Sequence, residues 1–396
     1  MLKYLETQDV GPADHLRLDL APRLNVLTGD NGLGKTFFLD VAWRAAAVDW
    51  ASLPARPRRK EGRKPKIRFS FDDQEHELRF DIARQSWRAG RSRRSPVPPG
   101  GREAIVIYVR TDGGFSVWDP MRSAIVEPEQ MPPYHFTPDT LWNGLQDGDH
   151  VLCNGLIRDW ITWQDRQSPS FQMLEDVLEH LSPPTGETLR PGPPTRISVV
   201  DARDVPTIEL PYETVPVVHA AAGMRRVLAL AYLMVWAWSE HLAAAKLLDA
   251  PPLTRLLLLI DEVESHLHSQ WQRALLPALL TVTEHLRGNL DLQILATTHA
   301  TLVLASVEPK LDEERDALFV FDLEKDDVTV RRTQWPPRGD ASGWLASEAP
   351  DLKAARSLPA QRAIRAAMET TRDPNPPVDE IRHQRRAVRN ETDPVG

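Results

Sequence analysis

Two short stretches of this chain hold the residue types that phosphate chemistry requires. Residues 29 to 36 read Gly29, Asp30, Asn31, Gly32, Leu33, Gly34, Lys35 and Thr36, which satisfies G-x-x-x-x-G-K-[ST] in full. Glycines let successive backbone N–H groups turn inward onto phosphate oxygens, and the N-terminus of a following helix, entered here through Phe37, adds a favourable dipole. Lys35 would reach the β- and γ-phosphates, and Thr36 would ligate Mg²⁺. The second stretch, LLLLIDEVESHLHSQW at 256 to 271, drives five large aliphatic residues into Asp261 and Glu262. A carboxylate pair at such a place suits a phosphate-bound metal, with Asp261 holding the magnesium side and Glu262 polarising an attacking water. A nucleoside triphosphate with Mg²⁺ is what these residues call for.

The elements that must position them follow from pattern. Leu24 to Leu27 reads as a short strand before the glycine turn, and Thr36 to Ala47 as a helix with Phe37, Phe38, Val41, Ala42 and Ala45 on recurring faces. An unbroken aliphatic run such as Leu256 to Ile260 suits a central strand of a parallel sheet covered on both faces. Ligands of open α/β sheets sit beyond the carboxyl ends of such strands, where Asp261 and Glu262 would emerge. Leu292 to Ala296 gives another buried strand, ending in Thr297, Thr298 and His299, and a histidine there can bond the γ-phosphate or orient Glu262. The plainer alternatives are that the two acids only cap a helix from Ser265 onward, and that His299 only satisfies a strand-to-helix turn.

Composition narrows the class. The 396 residues, 41% hydrophobic and 26% charged, suit a soluble globular protein, and a net charge of −8 gives no global pull toward nucleic acid. The single Cys153 excludes an intramolecular disulfide and any cysteine-built metal site, and fits a reducing cytoplasm. The amino terminus lacks an apolar signal core, and the greasiest stretch, Val227 to Trp238, is too short to span a bilayer, so neither export nor a membrane contact is expected.

With both motifs in hand, residues 1 to 48 and 210 to 325 resemble the ABC-type ATPases of the SMC-like and OLD-like kind. DEVESHLH is similar to the D-E-P-E-x-H-L-H of that branch. The resemblance implies an α/β fold, an ABC-type P-loop ATPase head that closes as a head-to-tail dimer around ATP. It implies that Lys35 and Thr36 belong to the Walker A motif, Asp261 and Glu262 to Walker B, Glu264 through His268 to the D-loop, and His299 to the switch histidine. It further implies a signature motif lent to the other subunit's ATP, for which residues 219 to 226 stand, with Ala222, Gly223 and Arg225 as phosphate contacts beside Arg226. Ala221 and Ala222 occupy the place of a hydroxyl, and one missing hydrogen bond to that charge is worth about 1.5–3 kcal/mol, which argues against brisk turnover. No residue is assigned to the family's Q-loop glutamine. ATPases of this AAA-family kind encoded beside nucleases in bacterial anti-phage systems, such as Septu, retron and PARIS modules, are similar too. They imply a protein effector, such as an HNH- or TOPRIM-type nuclease, as partner.

The expected organisation is an N-terminal ATPase lobe at 1–49, an inserted β-rich and helical lid at 50–209, a C-terminal ATPase lobe at 210–345 and a helical or flexible tail at 346–396. The lid shows no sustained heptads, and Pro96, Pro98 and Pro99 interrupt it. Strands are expected at Ile67 to Phe71, Glu77 to Ile82, Ala104 to Val109 and Phe115 to Trp118, and helices near Gly155 to Trp163 and Phe171 to Leu181. Arg56, Arg58, Arg59, Lys60, Arg63, Lys64 and Lys66 form one basic run, and Arg88, Arg91, Arg93 and Arg94 a second, either able to contact DNA or RNA or to be solvated loop. A terminal hairpin is expected at Leu318 to Asp322 and Val328 to Arg332, and helix at Asp351 to Thr371. His266 and His268 with His299 or Asp261 make a looser metal pattern. Beside effector control stand two rival readings: direct action on DNA, and an ATP-bound scaffold that scarcely turns over.

Overall fold

The structure is a computed structural model that describes residues 1–335 apart from 48, 59–63, 73, 90–102, 124–132, 185, 187, 287, 289, 326 and 334. In chain order its strands and helices begin β1 (Leu2–Val10), β2 (Ala13–Asp19), β3 (Leu24–Gly29), α1 (Lys35–Ala46), β4 (Lys66–Phe71), β5 (Gln74–Asp81) and β6 (Ser86–Ala89). Next come β7 (Ile105–Val109), β8 (Phe115–Trp118), α2 (Pro120–Ser123), β9 (Tyr134–Phe136), α3 (Pro138–Asn143), β10 (Leu145–Asp147), β11 (His150–Cys153), α4 (Leu156–Asp165) and α5 (Pro169–Leu181). The series ends with β12 (Arg190–Arg196), β13 (Asp204–Glu209), β14 (Thr214–Pro216), α6 (Ala222–Leu247), β15 (Arg255–Ile260), α7 (Ser269–Leu279), β16 (Asp291–Thr297), α8 (Thr301–Val307), β17 (Asp316–Glu324) and β18 (Asp327–Thr333).

The central sheet has eight strands in the order β18-β17-β3-β16-β15-β7-β8-β9. Its five middle strands, β17 through β7, are parallel, and antiparallel strands flank them. The aliphatic run of β15 is explained by this position. Leu256, Leu258 and Ile260 enter one core beneath α4 to α8, while Leu257 and Leu259 enter the other, shared with α1 and the sheet β2-β1-β4-β5-β6. A strand with cores on both sides must be apolar at every position.

The α/β class is as the sequence expected, but three expectations change. Residues 50–209 do not form one inserted lid: β4 to β6 extend the antiparallel sheet begun by β1 and β2, whereas β7 pairs in parallel with β15 and carries β8 and β9 into the central sheet. Among the described residues, the part from α3 to β14 lies outside those two sheets, as three helices with a hairpin and a three-stranded sheet. The second change concerns the apolar stretch Val227 to Trp238, which lies inside the 26-residue helix α6 because Ala243 to Ala245 continue it; α6 is long and apolar enough to cross a membrane, yet 78% of its apolar window is buried inside the protein. Third, the helix after β15 begins at Ser269, not Ser265, so Asp261 and Glu262 do not cap it. The expected helix at Asp351 to Thr371 and the tail 346–396 lie outside the described residues.

Two fully buried amides secure the sheets, Gln293 by bridging β16 to β1 and Asn25 by pinning the connection between β2 and β3. Gln293 on β16 accepts from Leu2 N–H at 3.0 Å and donates to the carbonyls of Leu2 and Ala21, both at 2.8 Å. Asn25 on β3 accepts from Ala21 N–H at 2.7 Å and donates to Ala21 O at 2.9 Å. Gln293→Leu would strand main-chain groups without water, and is expected to lower unfolding free energy by roughly 2–4 kcal/mol in denaturant titration. A loss below about 1 kcal/mol would mean that the amide is not a required joint between the sheets.

Candidate functional site

The glycine turn sits where β3 leaves the sheet. At Gly29 φ is 130° and a Cβ would stand 2.2 Å from the carbonyl oxygen of Phe321, so no side chain fits between β3 and β17. Exposed Asp30, Asn31 and Gly32 and buried Leu33 complete the turn, and Gly34, with φ 95°, stands at the N-cap of α1. Lys35 is 5% exposed; its Nζ donates to the carbonyls of Gly29 at 2.9 Å and Asp30 at 2.6 Å. Burial pulls its pKa down to about 8, against the opposing pull of Asp30, Asp261, Glu262 and Glu264. The Phe37 ring lies on Gly11 and edge-on to Phe38, so its contribution to a phosphate site would be its main-chain N–H.

Across 225 residues, Thr36 Oγ1 meets the Asp261 carboxylate, 3.0 Å from Oδ1 and 2.9 Å from Oδ2. Asp261 is 1% exposed and also accepts from Thr297 Oγ1 at 2.7 Å. That same hydroxyl accepts from Glu262 N–H at 2.7 Å. Thr297 therefore fixes both acids from β16, a role the sequence did not reveal, though its place at the end of an apolar strand was the available signal. Glu262 takes a left-handed φ of 49°, uncommon for a residue with a side chain, and Arg226 of α6 donates to the carbonyls of Asp261 at 2.8 Å and Glu262 at 3.2 Å. Burial lowers the pKa of Arg226.

The Thr36 hydroxyl and the Asp261 carboxylate bring oxygen donors together, the kind a hard cation such as Mg²⁺ prefers. One turn along α1, Asp40 accepts from Tyr108 OH at 3.3 Å and Ser52 Oγ at 3.2 Å, and burial raises its pKa to about 6. Asp40 lies outside the glycine-turn motif, and its spacing of one turn from Thr36 along α1 is the signal for it. His299 begins the turn into α8, with its N–H on Glu264 Oε1 at 2.6 Å. His266 and His268 are exposed, and among the described residues no group of three His, Cys, Asp or Glu side chains could hold a metal.

The start of α6 packs on the loop after β15: a Cβ at Gly223 would lie 2.6 Å from His266 O. Exposed Ala221 and Ala222 lie beside Gly223, and a groove of about 550 Å³ there is lined by Tyr212, His219, Ala221, Gly223, His266 and His268. Ala221, the N-cap, offers no side-chain hydrogen bond, and Arg225 is exposed. Among the described hydrogen bonds none links Ala222, Gly223 or Arg225 to the glycine turn of the same chain. In the basic runs, Arg58 pairs with Asp14 and Asp327, Lys66 with Glu77, and Arg88 with Asp81. Arg59, Lys60, Arg63, Arg91, Arg93 and Arg94 lie outside the described residues.

A family profile described as "AAA domain, putative AbiEii toxin, Type IV TA system" matches residues 213–305, a span that holds Asp261, Glu262 and His299 but not the glycine turn. No curated protein sequence matches the chain. Among solved structures, it is similar to the SMC head domain from Thermotoga maritima, at 12% identity and a TM-score of 0.42 over 84% of this chain and 99% of that one. An Smc head domain with an extended coiled coil bound to the C-terminal domain of ScpA, from Pyrococcus furiosus, matches at 11% identity and 0.41, over 84% and 96%. The recombination mediator RecF-ATPrS matches at 13% and 0.39, over 84% and 98%. By its own strands and turn, the chain is a mixed α/β protein with a P-loop between β3 and α1.

The depressed Lys35 pKa sets a pH dependence. A bound triphosphate favours the ammonium form, so binding takes up a proton wherever free Lys35 is neutral. Nucleotide affinity should be flat below pH 8 and fall above it by up to roughly tenfold per unit, with Lys35→Arg flattening the profile because a guanidinium stays charged. Equilibrium titration with a fluorescent ATP analogue from pH 6.5 to 10 reads this directly; an unchanged affinity at pH 10 in the parent would contradict it.

Proposed function

We propose that this protein is an ABC-type ATPase that binds ATP with Mg²⁺, closes as a head-to-tail homodimer and hydrolyses the nucleotide to control a protein effector. The observation that carries the reading is the contact of Thr36 Oγ1 with both oxygens of buried Asp261, which joins the glycine turn to the acid-tipped strand. Lys35 would sit against the β- and γ-phosphates, with the main-chain amides of the turn and of Phe37 around them. Thr36 and Asp261 would hold Mg²⁺, which when bound neutralises charge developing on the phosphates. Glu262 would orient and deprotonate the attacking water, and His299 would face the γ-phosphate side. Ala222, Gly223 and Arg225 would reach the nucleotide of the second subunit.

The effector is proposed to be a nuclease of HNH or TOPRIM type in an anti-phage setting. What supports a nuclease is the resemblance to ATPases encoded beside nucleases; the profile description names a putative toxin of a type IV system and no nuclease. Direct action on DNA is the rival reading: in the described part of the basic runs Arg58, Lys66 and Arg88 pair with carboxylates, while Arg56 and Lys64 are exposed. A slow, scaffold-like ATPase is the second reading, favoured by the uncapped start of α6 at Ala221.

Steady-state turnover separates the hydrolytic reading from the scaffold. Glu262→Gln should cut ATP hydrolysis by at least about a hundredfold while leaving ATP affinity within a few-fold, the size expected on losing a positioned general base. Equal turnover in parent and variant would reject a catalytic Glu262 and leave the scaffold.

A further inference from the structure

We propose that Glu264 is a positioning residue that holds the His299 turn in register with Glu262, an inference that rests on the hydrolytic reading above. Its carboxylate grips the end of β16 with both oxygens: Oε2 accepts from Thr298 Oγ1 at 2.7 Å and Oε1 from His299 N–H at 2.6 Å. The turn needs such a partner. β16 ends at Thr297, α8 starts at Thr301, and its N-cap is Ala300, which has no side chain able to accept from the free N–H groups. Thr298 N–H goes to Leu27 O at 3.1 Å and Ala300 N–H to Thr298 Oγ1 at 3.1 Å, leaving His299 N–H to Glu264.

The grip is reciprocal. From β16, Thr297 Oγ1 accepts the Glu262 N–H at 2.7 Å; from the loop after β15, Glu264 accepts the His299 N–H. Each segment lends an acceptor to the other's main chain, as the two residues of a capping box do for one helix. Val263 N–H to Thr297 O at 3.1 Å closes the link between them. The loop itself is tightly turned, with Ser265 N–H on Glu262 O and Leu267 N–H on Glu264 O, both at 2.9 Å, and with left-handed φ at Glu262 and His266. A carboxylate accepting two hydrogen bonds on such a stiff turn fixes the spacing of two main chains more firmly than a single neutral bond would. Glu264 need not touch substrate; it acts through His299 and Glu262.

The test uses the full-length protein and the variants Glu264→Ala, Glu264→Gln and Thr298→Val, with Glu262→Gln beside them. In nucleotide-free protein, hydrogen exchange resolved at His299 should quicken by about tenfold or more in Glu264→Ala, because that amide loses its acceptor. Turnover of Glu264→Ala should fall about ten- to a hundredfold with ATP affinity within twofold, the signature of misplacement rather than lost binding. Glu264→Gln, whose amide oxygen can still accept from His299 N–H, should recover most of both. Thr298→Val removes the other arm of the grip and should move kcat in the same direction, which keeps the test open if Glu264→Ala does not fold. Unchanged exchange at His299, or ATP affinity lost in step with kcat, would overturn the proposal. Should Glu262→Gln turn over like the parent, the hydrolytic reading fails, and exchange at His299 alone then decides whether the clasp exists.

Discussion

A carboxylate buried at the end of an apolar strand is the constraint around which this molecule is arranged. Asp261 is 1% exposed, and a buried carboxylate costs several kcal/mol unless donors surround it. Here the donors are Thr36, in the first turn of α1 behind the glycine turn of β3, and Thr297 at the tip of β16. Three neighbouring parallel strands must therefore finish at one level, and the register β15 with β16 and β16 with β3 makes them do so. Lys35 and Arg226 then approach the same place, each burdened by burial and each bound to main-chain carbonyls. A dense cluster of charge with hydrogen-bond partners already engaged is a preorganised setting for a charged ligand.

The rest of the fold serves to hold those strand ends still. Apolar side chains of β15 alternate between two cores, so neither face of the strand can shift without disturbing packing. One core is roofed by the antiparallel sheet β2-β1-β4-β5-β6, tied on by Gln293 and Asn25 through bonds that imitate a strand's own. The other is filled by α6, whose first turns touch the loop bearing Glu262 through Gly223 and Arg226. The start of α6 is thereby mechanically adjacent to the acid pair.

Much of this was legible in the sequence because it is local. The glycine turn, the aliphatic run ending in two acids, and the second strand ending in Thr297, Thr298 and His299 each announce themselves within about a dozen residues. What was hidden depends on distant pairing. Nothing in Lys66–Phe71 says that it will pair with β1, nor in Ile105–Val109 that it will lie beside β15, so a segment read as one lid is shared between two sheets. The late start of α7 at Ser269 reflects left-handed residues at Glu262 and His266, which no propensity scale assigns to those side chains. Arg226 was noticed as part of a signature, while its bonds to Asp261 and Glu262 in the same chain were beyond sequence reasoning.

The central claim is that a triphosphate and its magnesium lie between the glycine turn and Asp261. It is tested most directly by ATP affinity with and without Mg²⁺, measured by calorimetry on the parent and on Asp261→Asn shown to be folded by circular dichroism. Mg²⁺ should tighten binding to the parent by about tenfold or more and have little effect on the variant, since the neutral amide is a poorer ligand for a hard cation. No uptake of ATP by folded parent protein, or an equal magnesium effect in both proteins, would contradict it.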